Sequence, residues 1–307
     1  MNRFQRSWQL FKSSLAVMQQ HKKLLIFPIV ISFLMIGIAL FFFGAFAFQP
    51  TGYSYTSAAH WKTIANSIWV SAPAGAGPSH QQGALRPLAI VYFAIIYFVS
   101  MFLATFCNVA FYSEILKALN GQAVSIRAGF QFALTRWKSI LLWSAFAGLI
   151  GYAIKTLEQR FGLVGKIVLR LVGTAWSVAC VFVIPIIVME TETNPVLVLK
   201  KSAQTLKNTW GESLIGYAGL AFGSAIVLIG SFVYLGCAFY GAMALKNFWL
   251  FGIAFLTWLV GIFVFSYLTS VAGQIYRCAL YLYATTGTVP PPYDTDMMSM
   301  AWKMKKA

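Results

Sequence analysis

"IPIIVMETETNP", Ile184 to Pro195, decides how this chain is read. An uncharged hydrophobic run carrying Pro185 stops at Glu190, and Glu192 follows two residues later. Only seven of the 307 residues are acidic, so two acids together mark either a polar site or the edge of a medium that excludes charge. Counting backwards from Glu190, the 19 residues Leu171–Met189 contain no Asp, Glu, Lys or Arg. A helix needs about 20 apolar residues to cross about 30 Å of hydrocarbon. The run therefore stops where a bilayer would stop.

Working outward, the same pattern recurs. Uncharged windows cover Leu24–Phe48, Pro87–Ser113, Ser139–Ile154, Ser213–Leu245 and Asn247–Tyr276 as well. Hydrophobic residues make up 59% of the chain and charged residues 10%, against about 25% charged in globular domains. That leaves too little polar surface to cover a water-exposed globule. The expected fold is an all-α, polytopic membrane protein with six transmembrane helices, near 24–48, 87–111, 139–157, 171–189, 213–236 and 249–276. The third is the shortest and reaches across only if Lys138 and Lys155 snorkel. The first has too long an apolar core, and too much chain before it, to be a cleaved signal peptide. Residues 1–23 precede a membrane domain at 24–286, and 287–307 form a tail.

Net charge is +16, carried by residues that flank the spans rather than by an aromatic-interleaved groove, which argues against nucleic acid. Arg3, Arg6, Lys12, Lys22, Lys23, Lys117, Arg127, Arg136, Lys138, Lys200, Lys201, Lys207, Arg277, Lys303, Lys305 and Lys306 fall on one side. Lys62, Arg86, Lys155, Arg160, Lys166, Arg170 and Lys246 fall on the other. The more basic side is expected to be cytoplasmic, with both termini there. The four basic residues of 155–170 run against the rule, through either an interfacial segment or an unusual hairpin. In the outer connection 49–86, "SAPAGAGPSHQQG" (Ser71–Gly83) reads as a linker, and "HWKTIANSIW" before it as one short interfacial helix.

Three stretches on the basic side look alike: "RSWQLFKSSLAV" from Arg6, "RAGFQFALTRWK" from Arg127 and "KSAQTLKNTWGE" from Lys201. Each starts with a basic residue, has Phe or Leu five positions on, and leads into an odd-numbered span. Helical spacing gathers Trp8, Phe11 and Leu15, then Phe130 and Leu134, then Ala203 and Leu206, on single faces. This predicts three hairpins, each preceded by a cytoplasmic amphipathic interfacial helix against anionic headgroups.

These residues carry a family resemblance. "VIPIIVMETETNPVLVLKKSAQTLKNTWGE" resembles the signature of a family of uncharacterised bacterial multi-pass membrane proteins, a domain of unknown function. "RSWQLFKSSLAVMQQHKKLLIFPIV" and "IYRCALYLYATTGTVPPPYD" resemble it too. The resemblance implies a six-span bacterial inner-membrane protein and brings no activity, ligand or catalytic residue.

Candidate functional residues are few. Glu190 and Glu192 either mark the membrane edge, with Thr193 or Asn194 capping the next helix, or Glu190 pairs with Lys201 or Arg277 at a pathway mouth. Glu212, after Trp210-Gly211, is read the same way. Gln274 and Arg277 share a face at the end of span six, and Asn108 lies near the end of span two. Gly219 and Gly223 form a GxxxG that allows close helix approach. Cys107, Cys180, Cys237 and Cys278 are scattered singly and read as small buried hydrophobes; His21, His60 and His80 are isolated. No cofactor, metal site or enzyme motif is expected. The function expected is non-enzymatic, through membrane lipids or protein partners, a homo-oligomer among them. The alternative is a channel or transporter with its pathway between hairpins; the scarcity of polar residues at mid-span argues against ion-coupled transport through a carboxylate relay, though not against a pore lined by small residues or a site for an apolar substrate.

Overall fold

The computed structural model describes residues 3–70, 84–209 and 213–294, and they are overwhelmingly helical. In chain order come α1 (Arg3–Gln20), a 3-10 turn (Lys22–Leu25), α2 (Ile26–Ala47) and α3 (Ala58–Ile68). Two-residue strands β1 (Trp69–Val70) and β2 (Ala84–Leu85) pair antiparallel across the ends of the outer connection. Then follow α4 (Pro87–Leu119), α5 (Ile126–Thr135), α6 (Trp137–Arg160), α7 (Leu163–Ala179), α8 (Val183–Met189), α9 (Pro195–Thr209), α10 (Ser213–Ala244) and α11 (Phe248–Thr286).

Six helical stretches are long and apolar enough to cross a membrane: Lys22–Ala47, Pro87–Leu119, Trp137–Glu158, Gly165–Met189, Val227–Ala244 and Phe248–Thr286. The third, shortest on paper, is a 22-residue stretch that runs past Lys155. Local chemistry sets the ends. Pro87 opens α4 where its missing N–H costs nothing, Asn247 caps α11 by accepting from Trp249 N–H at 3.1 Å, and Gly287 (φ 71°) closes it. Short connections at Phe161–Gly162 and Leu245–Asn247 lay α6 against α7 and α10 against α11; α2 packs on α4.

At 1.5 Å per residue, the 33 residues of α4 and 39 of α11 measure about 50 and about 58 Å, well beyond the hydrocarbon thickness of about 30 Å. Both helices therefore run past the ends expected near 111 and 276. Their last turns are the buried ones: Val109–Leu116 on α4, and Ile275, Tyr276 and Cys278–Tyr283 on α11, form a core with Leu24, Phe27, Ile140, Phe182, Ile186 and Ile187. Phe27 stacks on Phe111 at 5.2 Å and on Phe130 at 6.1 Å. Further along the spans Phe33, Phe41 and Phe263 are about 70% exposed, an arrangement coherent only with lipid as the solvent there.

The three segments read as amphipathic each pack one face into this core. On α1 the buried residues include Leu10, Ser13, Ser14, Val17 and Met18, with Phe11 and Leu15 only partly buried. On α5, Gly129 and Ala133 are buried while Leu134 is exposed; on α9, Val198 and Ser202 are buried. The residues gathered by spacing, Phe11, Leu15, Phe130 and Leu206, pack against the core, and the most deeply buried positions are their neighbours. A Cβ on Gly129 would stand 2.8 Å from the Ala110 carbonyl oxygen and 2.9 Å from Glu114 Cγ, so glycine sets the approach of α5 to α4.

The fourth span is not one helix. Pro185 sits in the first turn of α8, where no intrahelical donor is required. The helix breaks before it, at Cys180–Phe182. Ser202 of α9, fully buried, bridges the break: its hydroxyl donates to the Ala179 carbonyl at 2.5 Å and accepts from Phe182 N–H at 3.1 Å.

At the opposite end the outer connection is folded for part of its length. His60, far from isolated, is fully buried between Tyr55 and Trp61, 2.5 Å from Thr51 Oγ1 and 3.0 Å from the Ala47 carbonyl. The linker Ser71–Gly83, with His80, lies outside the described residues.

Candidate functional site

Of the polar groups singled out from the sequence, Glu190, Glu192, Gln274, Arg277 and Asn108 fall towards the end of the bundle that holds the core. Glu190, at the C-terminal end of α8, forms an ion pair with Lys201 of α9, and the Tyr281 hydroxyl of α11 faces the same carboxylate. The carboxylate raises the Lys201 ammonium above its ordinary value, first through their hydrogen bond and then through charge. Lys201 is exposed and Glu190 partly so, and water competes for the pair.

Glu192 accepts from Thr193 and Asn194 N–H, each at 3.0 Å, and Asn194 Oδ1 accepts from Val196 N–H at 3.0 Å. Of the two candidate caps for α9, Asn194 is the one used. Ser139 of α6 donates to the Glu192 carbonyl at 3.2 Å, tying this turn to the start of the third span. The acidic passage Ile184–Pro195 is thus a helix stop, an ion pair and a helix start.

Arg277 does not meet Glu190. Its Nη1 donates to the Tyr112 hydroxyl of α4 at 3.1 Å, joining the ends of the two longest spans. Gln274 lies on the same helix, its Oε1 buried with no hydrogen-bond partner among the described residues. Asn108 is half-buried within α4. Glu212 and Trp210 lie outside the described residues, and so do the surroundings of Gly219 and Gly223.

Two polar centres were not anticipated. Glu114, one residue beyond the uncharged window of span two, is fully buried. Lys117 Nζ donates to its Oε1 at 2.6 Å and Ser125 N–H to its Oε2 at 2.7 Å, placing the carboxylate at the N-terminus of α5, where the helix dipole favours it. The available signal was the Glu-x-x-Lys spacing ahead of a Ser N-cap. The second centre is Tyr293, from the stretch read as tail. It folds back, buried, with its hydroxyl 2.8 Å from Ser14 of α1 and its ring against Tyr276. Burial raises its phenol above the ordinary value, while the Ser14 hydrogen bond opposes this.

Among the described residues no three His, Cys, Asp or Glu side chains come together as a metal-binding group. Cys107 and Cys278 are buried as expected of small hydrophobes, Cys180 is partly buried at the helix break, and Cys237 is exposed on α10. What the arrangement does chemically is hold helix ends together. Ser202 satisfies a backbone break, Glu114 a cap, and Arg277 and Tyr293 a partner helix.

No curated protein matches the chain, and no solved structure does either. A family of unknown function, DUF6159, matches residues 88–290, from the start of α4 to just beyond α11. The match takes in the "VIPIIVMETETNP" passage and the last span; the N-terminal stretch that also carried a resemblance lies outside it. With six membrane-length helices and a family match over most of its length, the chain is a multi-pass membrane protein belonging to DUF6159.

Proposed function

We propose that this is a non-enzymatic protein of a bacterial inner membrane that acts through contact with lipid and with protein partners at its basic end, both termini being cytoplasmic. The observation that supports this reading best is the packing of that end. Where a pathway between the spans would open, Phe27, Phe111, Phe182, Ile186 and Ile275, each at most 1% exposed, fill the space. The scarce acids serve structure: Glu114, Glu158 and Glu190 are ion-paired and Glu192 holds a turn. Many cations therefore remain to face anionic headgroups or an acidic partner.

Ion and solute flux into vesicles carrying the full chain tests this. The expected result is no flux above empty vesicles; flux that Glu190→Gln alters would overturn the proposal in favour of a channel or transporter. Orientation is tested separately by cysteines introduced at 155–170, where the Arg170–Glu158 pair at 3.3 Å joins α7 to α6. They are expected to react with impermeant reagent from the periplasmic side.

A further inference from the structure

The start of α2, at its capping residue Leu25, meets α11 where the Tyr267 hydroxyl donates to the Leu25 carbonyl. Further into the spans a groove of about 420 Å³ opens between them, lined by Ile29, Phe33, Ile36, Phe263 and Val264. That volume lies within the range of about 300–1,000 Å³ typical of small-molecule sites. Its two hydroxyls are already used: Tyr267 as above, and Ser32, which donates to the Pro28 carbonyl at 2.8 Å. The lining therefore offers a solute no free donor, and its chemistry suits a hydrocarbon chain. Lys22 and Lys23 stand just beyond one end of the groove, six or seven residues before Ile29, roughly 10 Å along a helix. Both are exposed, and neither forms an ion pair among the described residues.

We infer that this groove seats one acyl chain of an anionic phospholipid whose headgroup is held by Lys22 and Lys23. The inference rests on the lipid-contact reading above and narrows it to one place and one lipid charge. An apolar channel with a cationic pair at its headgroup end, inside a membrane-crossing pair of helices, complements such a molecule at both ends. A zwitterionic lipid would gain the chain contact without the charge contact.

The test is native mass spectrometry of the full chain in mild detergent, titrated with phosphatidylglycerol or phosphatidylcholine of identical chains. One phosphatidylglycerol is expected to be retained preferentially. The preference should fall roughly fivefold for each of Lys22→Ala and Lys23→Ala, the usual contribution of a basic residue near an anionic surface. Ser32→Phe and Ile36→Trp, both at exposed positions and thus compatible with folding, should displace the lipid by filling the groove. Leu40→Trp, equally exposed on α2 but outside the groove, should leave retention unchanged. Lysine variants that lower retention while both groove-filling variants leave it intact would overturn the groove and leave lipid contact standing. Equal retention of the two lipids, insensitive to every variant, would overturn both.

Discussion

Replacing Ser202 by alanine removes a hydroxyl that serves two backbone groups at once, the Ala179 carbonyl and the Phe182 N–H, across the break between α7 and α8. The site is fully buried, so water does not readily replace the hydroxyl. A buried donor or acceptor left without a partner costs about 1–3 kcal/mol. Allowing some relaxation around the break, the two together cost about 3 kcal/mol, which raises local opening by about two orders of magnitude. Cys180 lies inside the break and reports on it. In a Cys237→Ala background, which removes the exposed thiol, Cys180 is the remaining accessible cysteine, since Cys107 and Cys278 are buried. Maleimide labelling of Cys180 is expected to accelerate by about 100-fold in Ser202→Ala, in step with that opening energy. Ser177→Ala is the control: its exposed hydroxyl donates to the Gly173 carbonyl within its own helix, and surface changes of this kind stay within about 0.5 kcal/mol. If Ser202→Ala labels at the rate of Ser177→Ala, the hydroxyl does not hold the break and the account of span four fails.

Three further outcomes follow from the core. Gly129→Ala forces a methyl against the Ala110 carbonyl and should destabilise by about 1–3 kcal/mol in thermal unfolding, whereas Gly37→Ala, with open space around it, should not; equal melting of the two refutes the close approach. Glu114→Ala strands the Ser125 N–H and removes the Lys117 partner, and should cost about 2–4 kcal/mol, part of which Glu114→Gln recovers by keeping one acceptor. An alanine variant as stable as wild type would show that the carboxylate does not cap α5. The phenol of Tyr293 is raised by burial, so the unfolded chain ionises first: its contribution is intact below about pH 10 and is lost as pH rises above it. Lys201, also raised, loses its contribution on the same alkaline side. Limited proteolysis of the C-terminus should therefore quicken at alkaline pH in wild type and far less in Tyr293→Phe; identical profiles would refute the linkage.

The sequence by itself determined that this chain lives in a membrane, roughly where it crosses, and that Glu190 and Glu192 end a span. Those conclusions depend on quantities that add along the chain: the length of an uncharged run, the cost of placing charge in hydrocarbon, and the excess of Lys and Arg on alternate connections. Tertiary structure alone decided which polar groups matter to the core. Glu114 reads on paper as the boundary of a window, and becomes a buried cap only because α5 folds back onto α4 through Gly129. Ser202 reads as one more polar residue on a basic helix until the break at Cys180–Phe182 is brought to it. On α1, α5 and α9 the faces read from spacing do reach the core through Phe11, Leu15, Phe130 and Leu206, but spacing does not single out the fully buried Leu10, Ala133 and Ser202 beside them. Spacing tells which residues share a side of a helix, while the partner surface, absent from any local window, decides which side is buried. Lys201 over Arg277 as the partner of Glu190 was equally a matter of where distant helices end, and a one-dimensional count holds no information about that.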